Sequence, residues 1–175
     1  MENRRLSSDP LSGELELLGD GKSFQDTICN MLLGAKGFEI FQQHELAYLS
    51  RHMKAYFVRA GTTIFHEGDG ISYLFVLIQG RVCVYKEDSE HQNKLLSVIS
   101  PGRIFGEISI VDNFPYSASV IAESNATFLL MSREDFRQCI DDKPVLGVRL
   151  LGLIARLLCA RLRASSGQLV EHIDG

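Results

Sequence analysis

Between residues 24 and 54 the apolar positions fall three and four apart: Ile28, Met31 and Leu32, then Phe38, Phe41, Leu46, Leu49 and Met53, with Gly34 and Gly37 between the groups. Side chains at that spacing share one face of a helix, so the segment predicts two or three short helices. From Gly61 the period changes. Short runs rich in Val, Ile, Phe and Tyr follow at residues 64–65, 73–78, 82–85, 95–99, 117–122 and 127–131. Turn residues divide them: Glu67-Gly68-Asp69-Gly70, Gln79-Gly80, Pro101-Gly102 and Ser124-Asn125. Many short strands punctuated in this way predict a mainly β fold with flanking helices, built as a small antiparallel barrel or double sheet.

Ser132 followed by Asp135 is a capping signal, so a helix is expected from Arg133 to near Ile140. Pro144 suits the first position of a final helix running to near Glu171. That helix carries two apolar stripes. Leu146, Leu150, Leu153, Leu157, Ala160 and Ala164 follow the 4-3-4-3-4 spacing of a helix-pair seam, and Gly147, Leu151, Ile154, Leu158 and Leu162 form an adjacent row. One stripe can cover the β domain; the other must meet something else, and the first is expected to pair with a second copy in a parallel homodimer. A single wide core face in a monomer is the alternative. The chain thus divides into a flexible leader (residues 1–22), the β domain with its N-terminal helices (23–143), and the dimerisation helix with its tail (144–175).

Composition narrows the function. A chain of 175 residues that is 45% hydrophobic and 23% charged is long enough for a self-sufficient core and excludes a disordered or collagen-like chain. The net charge of -4 argues against a phosphate-backbone partner, so no nucleic acid is expected. Cys29, Cys83, Cys139 and Cys159 form no CxxC pair and read as reduced core residues of a cytoplasmic protein. The N-terminus has no signal-peptide core, and Arg149 and Arg156 leave only six uncharged residues between them in the most apolar stretch, against the ~20 needed to span a bilayer. No membrane partner is expected. The histidines His44, His52, His66, His91 and His172 include no HxH pair, and no GxSxG elbow, P-loop or Cys-His pairing occurs. Neither an enzyme nor a metal or cofactor is called for.

The chemistry concentrates in Pro101-Gly102-Arg103-Ile104-Phe105-Gly106-Glu107-Ile108-Ser109-Ile110, continuing through Phe114-Pro115-Tyr116-Ser117-Ala118-Ser119-Val120. A glycine lets backbone approach a ligand, a carboxylate accepts hydrogen bonds from ribose hydroxyls, and exposed amides attract a phosphate. This segment closely resembles the phosphate-binding cassette of the cyclic nucleotide-binding domain family, as in catabolite activator protein and the regulatory subunits of cyclic AMP-dependent kinase. The stretches Gly61-Thr62-Thr63-Ile64-Phe65-His66-Glu67-Gly68-Asp69 and Leu74 to Val84 resemble the family's early strands, so the likeness covers about residues 38–163.

The resemblance implies an antiparallel, jelly-roll-like β-roll, cyclic AMP or cyclic GMP as ligand, and a site drawn from Phe105, Gly106, Glu107, Ile108, Ser109, Tyr116, Ser117 and Ala118. Gly106 and Glu107 match the ribose contacts; Ser117 and Ala118 match the phosphate contacts. Tyr116 departs from the pattern, because the family has an arginine there, and loss of that charged fork costs roughly 2–4 kcal/mol of phosphate binding. Three readings stand side by side: a degenerate pocket in which Tyr116 is an aromatic plug, a pocket that uses replacement contacts, and a pocket for a different ligand. Arg161, which aligns with a base-contacting position of the family, is a candidate replacement; a solvated basic helix face is its plainer reading. The few residues after Arg163 are too short for a helix-turn-helix, so output is expected to pass through a partner protein or the dimer.

Overall fold

The computed structural model describes residues 15–21 and 23–173. Two short helices, α1 (Gln25–Leu33) and α2 (Gln43–Arg51), flank a 3-10 turn at Phe38–Ile40, where the three-and-four spacing placed them. Ile28 and Leu32 of α1 and Leu46 and Leu49 of α2 are buried, which is why that spacing recurs. A reciprocal cap fixes the start of α2: the Gln42 side chain accepts from the Glu45 N–H, and Gln42 N–H donates to Glu45 Oε2 at 2.8 Å.

The strands are β1 (Glu16–Asp20), β2 (Lys54–Val58), β3 (Thr63–Phe65), β4 (Tyr73–Gln79), β5 (Val82–Glu87), β6 (Asn93–Ile99), β7 (Ile104–Phe105), β8 (Ser119–Ala122) and β9 (Ala126–Ser132), with helix α3 (Glu107–Asp112) after β7. They form two antiparallel sheets, one ordered β1-β2-β9-β4-β7 and the other β3-β8-β5-β6. The molecule is an antiparallel β-roll. Phe65, Phe75, Phe105 and Phe128 lie in its core with Tyr56 and Tyr116.

β1 corrects the expectation of a flexible leader. Residues 16–20 pair with β2 in antiparallel register, Leu17 opposite Tyr56 and Asp20 opposite Lys54. Asp20 then closes the turn into α1 by accepting at Oδ1 from Ser23 N–H at 3.0 Å. Residues 1–14 and 22 of the expected leader lie outside the described residues.

After β9 come α4 (Arg133–Asp142) and α5 (Pro144–Ile173). Ser132 caps α4 as expected, its Oγ accepting from Asp135 N–H at 3.0 Å. The chain divides into two compact units, the first ending at Phe136 and the second starting at Arg137, so the break falls inside α4 and not at the expected start of α5. Within the second unit Gly147 permits the close turn between its helices, since a Cβ there would stand 2.9 Å from Ile140 Cα.

The expected dimer seam is corrected along half its length. Leu146, Leu150 and Leu153 are buried within the single chain, so they cannot also face a second copy, whereas Leu157 is half-buried and Ala160 and Ala164 are exposed. The apolar row left to solvent starts at Val148, 70% exposed, continues through Leu151, Ala155 and the half-buried Leu158, and reaches Leu162 at 68%. It has the same alternation of threes and fours, one position around the helix.

Candidate functional site

The site begins where β7 crosses β4. Pairing of Phe75 with Phe105 and of Val76 with Ile104 fixes the chain as it leaves the sheet. The Phe105 ring stacks on Phe75, centroids 4.7 Å apart and planes 9° apart, and is buried. Phe105 is therefore a core residue that positions the site and not the ligand contact that the sequence suggested. Next comes Gly106 at φ +73°, where a Cβ would lie 2.6 Å from Tyr73 O and 2.9 Å from the Phe75 ring. Only glycine fits this corner.

α3 starts at Glu107, whose side chain is 0% exposed. Burying a carboxylate this completely is costly unless donors surround it, and a ribose diol is a source of such donors. Ser109, also expected in the site, is buried and turned to structural use: its Oγ donates to Gly106 O at 3.1 Å. Ile108 points outward and is exposed.

Arg133, the first residue of α4, reaches back to α3. Its Nη2 donates to Ser109 O and to Ser72 Oγ, both at 2.6 Å, and its Nη1 donates to Asn113 Oδ1 at 2.5 Å. A guanidinium at the carboxyl end of a helix meets its exposed carbonyls favourably. Nothing in the sequence around Arg133 marks this clamp, which depends on α4 following directly from the strand beside β4.

Tyr116 sits at the other end of the cassette, 4% exposed. Its ring lies against Phe65, centroids 3.8 Å apart and 16° between planes. Its hydroxyl accepts from Tyr73 N–H at 2.7 Å and lies 3.4 Å from Tyr73 O, to which it donates. The expected ligand contact at Tyr116 is thus corrected: the hydroxyl is spent on the backbone of β4, and the ring is an aromatic plug in the core. Burial also raises the phenol pKa well above its ordinary value, so the side chain is neutral at physiological pH.

The backbone beside the plug is tied to the turn before β4. Gly68 N–H donates to Tyr116 O at 2.8 Å, Tyr116 N–H donates to Asp69 O at 3.1 Å, and Glu67 N–H donates to Ser119 Oγ at 2.9 Å. Ser117 is exposed and Ala118 half-buried, so both remain accessible. Lys86, at the end of β5, donates from Nζ to Ser117 O at 2.9 Å and also pairs with Glu67 Oε1. Sequence reasoning missed Lys86, because only the pairing of β5 with β8 reveals its nearness to the cassette. Arg161 lies half-buried on α5 in the second unit. Among the described residues no group of histidine, cysteine or carboxylate side chains could hold a metal, and no helix is long and apolar enough to cross a membrane.

A glycine corner, a buried carboxylate at the first turn of a short helix, and an accessible extended segment beyond it are all mounted on a double-sheet roll. Residues 56–143 match the family model of the cyclic nucleotide-binding domain, and the chain belongs to that family. Over 136 residues it is 28% identical to the CRP-like cAMP-activated global transcriptional regulator of Mycobacterium tuberculosis, which covers 78% of this chain and 59% of the relative. The chain therefore spans about three fifths of that relative's length.

A cyclic nucleotide-binding domain from Methylobacillus flagellatus superposes with a TM-score of 0.81 at 28% identity, covering 97% of this chain and 96% of that one. The catabolite activator protein of Thermus thermophilus superposes with a TM-score of 0.65 at 28% identity, covering 76% and 61% of the two chains.

Proposed function

We propose that this chain is a cytoplasmic regulatory module that takes cyclic AMP or cyclic GMP in its cassette and reports occupancy to a protein partner as a homodimer. The carrying observation is Glu107, a carboxylate wholly buried at the first position of α3 and set behind a glycine that no other residue can replace. The ligand's ribose hydroxyls donate to Glu107, and its phosphate meets Ser117 and Ala118. Relatives support this reading by what they are: a cAMP-activated regulator and a cyclic AMP receptor protein among them.

Ligand binding acts as a signal only if it favours one arrangement of the protein over another. Arg133 supplies the link, since it joins Ser109 and Asn113 of the cassette to the start of α4, and a shift of α3 draws on both contacts. The dimer forms along the exposed row Val148, Leu151, Ala155, Leu158 and Leu162, whose spacing is that of a two-helix seam. Arg161 is a candidate contact to the ligand base.

A second reading, a ligand-free scaffold of the same fold, is favoured by the Tyr116 plug. Calorimetric titration of nucleotide-stripped protein with cyclic AMP and cyclic GMP separates the two, with sedimentation of the same sample to give the oligomeric state. Micromolar or tighter binding that Glu107→Gln abolishes, on a dimeric protein, is expected. Absence of heat with both nucleotides would hand the function to the scaffold.

A further inference from the structure

We infer that Lys86 supplies the positive charge for the ligand phosphate, and that Glu67 is the carboxylate the phosphate displaces from it. The inference rests on the reading that the cassette binds a cyclic nucleotide. A cyclic phosphodiester carries a full negative charge, and the residue at the usual cationic position, Tyr116, is neutral with its hydroxyl committed to Tyr73. A cation must come from elsewhere. Arg133 is held behind α3 by Ser72, Ser109 and Asn113, and Arg81 pairs with Glu123 at 2.7 Å beyond the far end of β5.

Lys86 is placed differently. Tyr85 lies opposite Ser119 and Val84 opposite Val120, so the cassette segment before Ser119 runs beside Lys86. The ammonium group already touches that segment, donating to Ser117 O at 2.9 Å, and Ser117 is the residue that matches the family's phosphate contact. Its side chain is 45% exposed and that of Glu67 is 32% exposed, so exchanging one anion for another there requires little desolvation.

Glu67 has the properties of a placeholder anion. The Lys86 hydrogen bond holds its carboxyl below the usual carboxylate range, so it is ionised at neutral pH. Its backbone is pinned by the Glu67 N–H bond to Ser119 Oγ, and its turn by the two bonds between Gly68, Asp69 and Tyr116. When a phosphate takes the ammonium group, only the Glu67 side chain has to leave. Glu67 therefore opposes binding through like charge, while Lys86 favours it.

The test is titration of Lys86→Met, Lys86→Arg and Glu67→Gln with cyclic AMP and cyclic GMP at low and high salt. Lys86→Met should weaken binding roughly tenfold or more and remove most of its salt dependence, Lys86→Arg should retain it, and Glu67→Gln should tighten it. A pair that merely fastened the turn would give a different result, with Glu67→Gln weakening binding as much as Lys86→Met. Because the pair is exposed, circular dichroism and thermal melts of all three variants should resemble the parent's. Parent-like affinity and salt dependence in Lys86→Met would overturn the assignment while leaving nucleotide binding intact. Failure of the unmodified protein to bind either nucleotide would instead remove the functional reading, and this one with it.

Discussion

At one end of the cassette Glu107 keeps a carboxylate wholly out of solvent, and at the other Tyr116 buries a hydroxyl almost as completely. The two groups are equally hidden but not equivalent. The tyrosine is neutral, and its polar atom both accepts from and donates to the backbone of Tyr73, so it costs the fold nothing and fills the core. The carboxylate is held at a backbone corner that excludes any side chain larger than hydrogen. Burial alone therefore does not mark a functional group.

Placing an arginine at the plug should break this contrast most severely. Tyr116→Arg would put a guanidinium against Phe65 and remove the bond to Tyr73, costing about 3–5 kcal/mol of stability in chemical denaturation. If the variant instead melts with the parent and gains cyclic nucleotide affinity, the tyrosine end is an open phosphate site lacking only its charge. Gly106→Ala should have a smaller effect on stability, about 1–3 kcal/mol, because its φ of +73° and the 2.6 Å approach to Tyr73 O both penalise a Cβ. The shift it forces should displace Glu107, and loss of ligand affinity in titration would tie the glycine corner to binding.

The smallest effect is alkaline. The Tyr116 phenol ionises less readily folded than unfolded, so its contribution is complete below the ordinary tyrosine pKa of about 10 and is lost as pH rises above it, by up to about 1.4 kcal/mol per pH unit. Denaturation midpoints measured across that range should fall more steeply for the parent than for Tyr116→Phe. Equal slopes would mean that the hydroxyl is reached by solvent.

Much of this architecture is legible in the chain. The three-and-four spacing of Ile28, Leu32, Leu46 and Leu49 marks α1 and α2 because each helix buries one face. Ser132 and Asp135 mark the start of α4 through a cap that is local in sequence. β2 gives no such signal: it lies between β1 and β9, and Ala55, Tyr56 and Val58 are buried without alternation, so no period marks it. Which stripe of α5 is covered is likewise undetermined by spacing, since both stripes have the same period.

The site divides along the same line. Gly106 and Glu107 are legible through the resemblance of their segment to the family's cassette, which is continuous in sequence. The direction of the Tyr116 side chain and the approach of Lys86 to Ser117 depend on strand register between distant segments, which no local pattern encodes.

The pairing of residues 16–20 with β2 bears on how the protein should be handled. A chain trimmed to start at residue 23 would bare the outer edge of β2, with a row of amide and carbonyl groups able to accept a strand from another molecule. β1 presents a poorer edge, since its register slips between Leu17 and Gly19 and such an irregularity discourages further strand addition. The opening strand is thus a guard against edge-to-edge aggregation, and solubility is where its removal would be felt first.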